Sequence, residues 1–201
     1  LESILHKKGN HKQADMVRNI IPEGIECIFV RQAEQLGLGH AVLCAERVVG
    51  EDPFAVLLAD DFLTDYEPGV TADLANAFAK TGKSQISVME VNGPSISQYG
   101  VVVPHESGAS ISGLIEKPNA KDAPSNLASI GRYVLTPHIF KILRGLVAGS
   151  GNEIQLADGI NILAQQGLVE SIHINGRRFD CGSVDGFMSA TDHVYKKRTL
   201  I

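Results

Sequence analysis

The sequence predicts an α/β fold, a single domain over residues 1–201 built on a mixed sheet, and three observations carry that prediction. The first is the stretch Phe54-Ala55-Val56-Leu57-Leu58-Ala59, an apolar run that leads straight into two carboxylates, Asp60 and Asp61. Bounded by Pro53 and by polar residues, it suits a strand covered on both faces, as strands of parallel sheets are. The second is what precedes it: a strand at 25–30, a polar loop at 31–37 and a helix at 39–49, which together make a βαβ pattern. The third is a later series of short strand-like segments separated by Gly, Pro and Asn and followed by amphipathic helices.

Size and charge narrow the function classes. A chain of 201 residues can bury one substantial core. Its net charge of -5, with scattered lysines and arginines, gives no basic footprint for nucleic acid. Small molecules or other proteins are the expected partners. No apolar run approaches the roughly 20 residues that span a bilayer, and no signal-peptide pattern opens the text. Cys27, Cys44 and Cys181 are too few and too far apart for a disulfide scaffold or a metal knuckle, so they read as reduced thiols of a cytoplasmic protein. Residue 1 is Leu, and the text opens as though inside a helix, which reads as an N-terminal truncation.

In order along the chain, apolar positions at Leu1, Ile4, Leu5, Met16, Val17 and Ile20, broken around Gly9-Asn10, predict two helical pieces. After the 39–49 helix and the apolar strand, residues 71–80 form a helix capped by Thr71 and closed by Gly82. Strands follow at 85–91, 99–103, 111–117 and 127–135. Helices at 137–146 and 153–165 flank the turn-rich segment 148–152. The chain then continues as a strand at 169–174, a loop at 177–182 and a helix at 187–197.

Three constellations can carry chemistry. Gly37 and Gly39 lie in a loop between strand and helix, where glycine permits close backbone approach to a ligand and helix amides favour negative charge. Serving only as turn and helix start is the plainer role for them. A dinucleotide fingerprint fails, because Val42 stands at the third glycine position and six residues separate Val30 from Gly37. Gln32, with a carbonyl and an amide, has the groups to read the edge of a base. Glu116-Lys117-Pro118 is the second: a carboxylate suits sugar hydroxyls and an ammonium suits a phosphate, although exposed Glu-Lys pairs are common. The third is Phe179-Asp180-Cys181-Gly182. Asp180 together with Asp60 would make an oxygen-rich site for magnesium, while a turn role is open to both aspartates.

Taken together, RQ-x4-GLGHAVLCA (31–45), AVLLADDFL (55–63), YGVV (99–102), IEKP (115–118), APSNLASIGRYVL (123–135), GNEIQLADGI (151–160) and FDCG (179–182) resemble the bacterial UTP-glucose-1-phosphate uridylyltransferase family over nearly the whole chain. The resemblance implies a Rossmann-like nucleotidyltransferase fold with a mixed, mostly parallel central sheet, lacking here the first strand and the glycine-rich phosphate loop. It implies formation of UDP-glucose and pyrophosphate from UTP and glucose 1-phosphate, with magnesium as cofactor, in a homo-oligomer. By the same resemblance Gln32 and Gly37 would read uracil, and Asp60 and Asp180 would hold the metal. Glu116 would bind sugar hydroxyls and Lys117 the sugar phosphate, with catalysis resting on Lys117 and Asp60. Gly100, Ala128 and Ser129 would line the glucose pocket, which Asn126 and Gly131 would help to shape. Two other readings stand beside it: a thymidylyltransferase acting on the same sugar phosphate, and a non-catalytic nucleotide-sugar-binding or assembly domain. Asp61, on the opposite face of its strand from Asp60, is assigned to a turn or to support of the site. For 152–156, helix capping, packing and ligand contact all remain open.

Overall fold

The computed structural model describes residues 1–106 and 108–198, and its contacts divide the chain into two units, Leu1–Arg31 and Gln32–Ile201. In the first unit the two expected helical pieces are present as α1 (Glu2–Lys7) and α2 (His11–Arg18). Gly9, at φ +74°, supplies the left-handed bend between them, and Arg18 Nε donates to Glu2 Oε1 at 2.9 Å across the pair. The strand expected at 25–30 is not formed: the segment joins no ladder and Phe29 is 94% exposed. Apolar, β-branched composition alone does not make a strand without a partner edge.

The second unit runs α3 (Leu38–Cys44), α4 (Glu46–Val49), β1 (Phe54–Leu57), β2 (Asp61–Thr64), α5 (Val70–Thr81), β3 (Ser84–Glu90), β4 (Gly100–Pro104), β5 (Ile111–Glu116), β6 (Leu127–Leu135), α6 (His138–Gly145), α7 (Leu156–Gln165), β7 (Val169–His173), β8 (Arg177–Asp180) and α8 (Val184–Arg198). The main sheet has the order β5-β4-β6-β3-β7, with β1 paired to β6 as well, and β2 and β8 form a separate two-stranded ribbon. The expectation of a mixed sheet holds, but that of a mostly parallel one does not. Among the described strands only β3 and β7 run parallel, while β1·β6, β3·β6, β4·β5, β4·β6 and β2·β8 are antiparallel. Strands β4 and β5 follow one another directly, and a short return of this kind reverses the chain; β6 then lies on the other side of β4, antiparallel to it, and the long excursion through β4, β5, β6, α6 and α7 lets β7 come in parallel to β3.

The layers follow from strand alternation. Along β6, Tyr133 and Leu135 face the main core with α3, α6 and α7, whereas Val134 faces α5 through Val70 and Leu74. Phe140, Leu143, Leu156, Ile160 and Leu163 pack on Ile86, Val88 and Val102, and burying each such side chain stabilises by about 1.5–3 kcal/mol. β1 is not covered on both faces as expected. Phe54 and Val56 pack inward, Phe54 stacking on Phe140 with ring centroids 4.9 Å apart, while Leu57 is 54% exposed. The apolar run also breaks after Leu57, so Asp61 opens a new strand. Gly82 closes α5 in the left-handed conformation as expected, but Gly69 rather than Thr71 stands at the N-cap. The segment expected as a loop at 177–182 contributes β8. All three cysteines are free, and no described helix is long and apolar enough to cross a membrane.

Candidate functional site

The two aspartates singled out for a metal arrive at the same place. Pairing of β2 with β8 sets Asp61 opposite Asp180, and the backbone of Cys181 donates to the carbonyl of Asp60 at 2.7 Å. Both carboxylates then converge on Gly182, where an added Cβ would stand 3.1 Å from Asp180 Oδ1 and 3.2 Å from Asp60 Oδ2. Asp60 is exposed, and the side chain of Asp180 is half-exposed. Magnesium is held by one or two carboxylates and keeps its other positions for water and phosphate oxygens, so this donor pair fits that ion. No group of three or more His, Cys, Asp or Glu side chains among the described residues could enclose a metal by itself.

What positions this corner was not read from the sequence. The Asp61 N–H closes the turn from Leu58 by donating to Leu58 O at 3.3 Å, while its side chain supports the site: the residue is 5% exposed and its carboxylate accepts from Arg178 Nε at 2.5 Å and from the backbone of Gly131 at 2.6 Å. Arg178 also reaches the Tyr99 hydroxyl at 3.0 Å, lies over the Tyr99 ring, and approaches Asp180 Oδ2 at 3.5 Å. Burial works against the charge of Arg178, but Asp61 and Tyr99 outweigh it and hold its pKa above the ordinary value. Arg132 closes the turn by donating to the carbonyls of Leu58 at 3.0 Å and Asp61 at 2.8 Å. Gly131, expected to shape a sugar pocket, instead serves this anchor, since a Cβ there would meet Asp61 Oδ2 at 2.6 Å. A sequence signal for Arg178 existed: it lies two residues before Asp180, so on a strand the two share a face.

Several residues expected on the sugar side gather at the facing ends of β4 and β5. Gly100 pairs with Glu116, and a Cβ at Gly100 would approach Glu116 Oε2 to 3.2 Å. Lys117 takes φ +43°, which turns the chain out of the strand, and its N–H donates to Tyr99 O at 3.0 Å. Its ammonium stands 3.6 Å from Glu116 Oε1. The pair differs in exposure, 63% for the Lys117 side chain and 28% for Glu116, so it is not a freely solvated surface pair. Burial raises the pKa of Glu116; Lys117 counters this, while Asp158 and Glu153 add to it. Glu116, Lys117, Gly151, Glu153, Gln155 and Asp158 line a cleft of about 680 Å³, within the range of small-molecule sites. Ser129 sits behind Glu116 with Gly100, and Ala128 is fully buried against Ile96 and Val101. Asn126 stands apart, lining a different hollow and donating to Asn92 Oδ1 at 3.2 Å.

The glycine loop is held by the chain itself. Gln32 Nε2 donates to Gly37 O at 3.1 Å and lies 3.0 Å from His40 Nδ1. Ile154 straps the loop: its N–H donates to Leu36 O and its carbonyl accepts from Gly39 N, both at 2.8 Å. A Cβ at Gly37 or Gly39 would meet Ile154 O at 2.8 or 2.7 Å, so both glycines are required by close backbone approach. The segment 152–156 thus packs against the loop, and Glu153 and Gln155 on either side of Ile154 face the cleft.

Residues 3–197 match the nucleotidyl transferase family. The UTP–glucose-1-phosphate uridylyltransferase of Haemophilus ducreyi is 42% identical over 94% of this chain and 68% of its own length. That of Escherichia coli K12 is 42% identical over 94% of this chain and 66% of its own length. The chain therefore spans about two thirds of the length of these relatives. Among solved structures, a UDP-glucose pyrophosphorylase complexed with UDP-glucose superposes with a TM-score of 0.84 at 40% identity, covering 95% of this chain and 73% of that one. A UTP-bound enzyme from Acinetobacter baumannii gives 0.83 at 37% identity, covering 96% of this chain and 68% of that one. By fold, sequence identity and extent of match, the chain belongs to the nucleotidyl transferase family and, within it, to the UTP–glucose-1-phosphate uridylyltransferases.

Proposed function

We propose that the protein joins UTP to glucose 1-phosphate, forming UDP-glucose and releasing pyrophosphate. The observation that carries this reading is the link made by Arg178 and Tyr99. Through it the Asp60–Asp180 corner is tied to the Glu116–Lys117 strand end, so a pair suited to a cation and a pair suited to a sugar phosphate share one frame. An oxygen of glucose 1-phosphate attacks the α-phosphorus of UTP; that bond forms as the bond to the leaving pyrophosphate breaks, and no covalent enzyme intermediate is needed. The difficulty is bringing two anions together, which positioning and charge neutralisation overcome. Lys117 supplies positive charge to the sugar phosphate, and Glu116 accepts from sugar hydroxyls. Asp60 and Asp180 hold magnesium, which when bound neutralises phosphate oxygens. Gln32 and Gly37 face the uracil, with Gln32 keeping the loop in shape, while Gly100 and Ser129 shape the glucose pocket from behind Glu116 and Ala128 packs beneath them. Asn126 and Gly131 act from further away, Gly131 by holding Asp61. The reading also carries a homo-oligomeric assembly in the cytoplasm, which size-exclusion chromatography and cell fractionation check.

The test is pyrophosphate release from UTP and glucose 1-phosphate with magnesium by the full-length gene product. Release that is fastest with UTP among nucleoside triphosphates supports the reading, and no release refutes it. Calorimetry with UDP-glucose then separates binding without turnover from no binding.

A further inference from the structure

Behind the wall that carries Glu116 lies a second cavity of about 60 Å³. Leu114, Glu116 and Gln155 line both this cavity and the outer cleft, so Glu116 stands between the two. Its two oxygens are placed differently: Oε1 faces the Lys117 ammonium, whereas Oε2 lies toward Gly100, which belongs to the inner cavity. The inner cavity is too small for a hexose and has room for about two waters at about 30 Å³ each. It is also polar where it matters. Ser129, 8% exposed, is among its lining residues, and its buried Oγ makes no hydrogen bond of good geometry within the chain, although the Tyr133 phenol faces it. Tyr133 is buried deeply enough that its pKa is pushed up to about 12, so it stays a neutral donor. Buried hydroxyls left without a protein partner are uncommon in native folds and commonly mark an ordered water.

We propose that ordered water in this inner cavity joins Ser129 Oγ and the Tyr133 hydroxyl to Glu116 Oε2, which makes Ser129 and Tyr133 positioning residues for the carboxylate that meets the sugar. The inference rests on the reading of the outer cleft as the sugar site. The groups facing Glu116 are Lys117 on its own strand end, Glu153 from the segment before α7, Asp158 from the first turn of α7, and Tyr133 from β6. Two of these are acids, and burial also works against the charged form. A water anchored from behind and donating to Oε2 opposes both effects and holds the carboxylate plane so that Oε1 is presented to Lys117 and the ligand. Gly100 is part of the same arrangement, because a Cβ there would press on Oε2 and fill the space beside it.

Ser129→Ala and Tyr133→Phe each remove one oxygen with little change of volume, and thermal melting checks that both variants fold. Two readouts are taken on the wild type and on each variant: calorimetric affinity for UDP-glucose, and the carboxylate titration of Glu116 by NMR. The expected result is binding about tenfold weaker in either variant, the size of one hydrogen bond to a charged group. Glu116 should titrate at higher pH than in the wild type, and Ser129→Thr, which keeps the hydroxyl, should recover most of the lost affinity. Wild-type affinity together with an unchanged Glu116 titration in both variants overturns the proposal. If the wild type fails to bind UDP-glucose, the sugar-site reading falls, while the Glu116 titrations still decide whether Ser129 and Tyr133 act on this carboxylate.

Discussion

Replacing Arg178 by alanine leaves the carboxylate of Asp61 in the interior with one of its two partners gone. The side chains of Arg178 and Asp61 are 12% and 7% exposed, so solvent cannot replace the lost guanidinium without disturbing the strand ribbon. Removing one member of a buried pair costs about 3–5 kcal/mol. Asp61 keeps the Gly131 N–H at 2.6 Å, which argues for the lower end, about 3 kcal/mol. For a chain of this size that corresponds to a melting temperature lower by roughly 6–12 °C. Urea and thermal unfolding measure the loss, and a double-mutant cycle with Asp61→Asn apportions it. The double variant should be less destabilised than the two single effects added, since neither charge is then stranded. A loss for Arg178→Ala of under about 1 kcal/mol, the range of a surface pair, or a strictly additive cycle, would refute the assignment of this pair as the anchor of the aspartate corner.

Four further outcomes are expected. Asp60→Asn should abolish most of the pyrophosphate release assayed with magnesium while leaving the melting temperature near wild type; full activity would remove Asp60 from the proposed metal site. Gly39→Ala places a Cβ 2.7 Å from Ile154 O, and overpacking of this kind costs about 1–3 kcal/mol, so chemical denaturation should show a shifted midpoint. Glu116→Gln should be more stable than wild type at neutral pH. The folded-state pKa of Glu116 is raised, so its contribution is favourable below the unfolded value near 4.5 and is lost as pH rises through the folded value; the two curves should therefore meet in acid. Asp65 behaves oppositely. Hydrogen bonds from Lys197 and His193 lower its pKa from 3.8 to about 2, giving stability that is present above pH 3.8 and lost as pH falls toward 2. Asp65→Asn should flatten acid unfolding in that window, and an unchanged acid limb would show the contacts to be without effect.

Local pattern carried much of the chain. The alternation at 127–135 appears as β6 with the same limits, and helices at 137–146 and 153–165 appear as α6 and α7 with shortened starts. Gly82 closes α5 as its chemistry requires, because few other residues accept φ near +67°. The positions of the motif residues were likewise legible: Glu116 and Asp180 end strands, Lys117 follows one, and Asp60 lies in the turn between β1 and β2. Less legible was anything that depends on which strand lies beside which. The segment at 25–30 has strand composition but no ladder, and the run at 54–59 has the continuous apolar character of a doubly covered strand while only one of its faces is covered.

The sequence by itself determined the alternation of helices and strands, the positions of the chemistry-bearing residues and, through seven ordered blocks, the family. Tertiary structure alone decided that the sheet is mostly antiparallel and that the Asp61 carboxylate is buried as an anchor between Arg178 and Gly131. It also decided that Arg178 ties two distant strand ends together and that Ile154 lies against Gly37 and Gly39. The physical reason is the range of the interactions. Propensity, capping and face alternation act over a few residues and are written in local order. The partner of a buried charge, or the backbone that excludes a Cβ, lies more than a hundred residues away, as Arg178 does from Asp61 and Ile154 from Gly39.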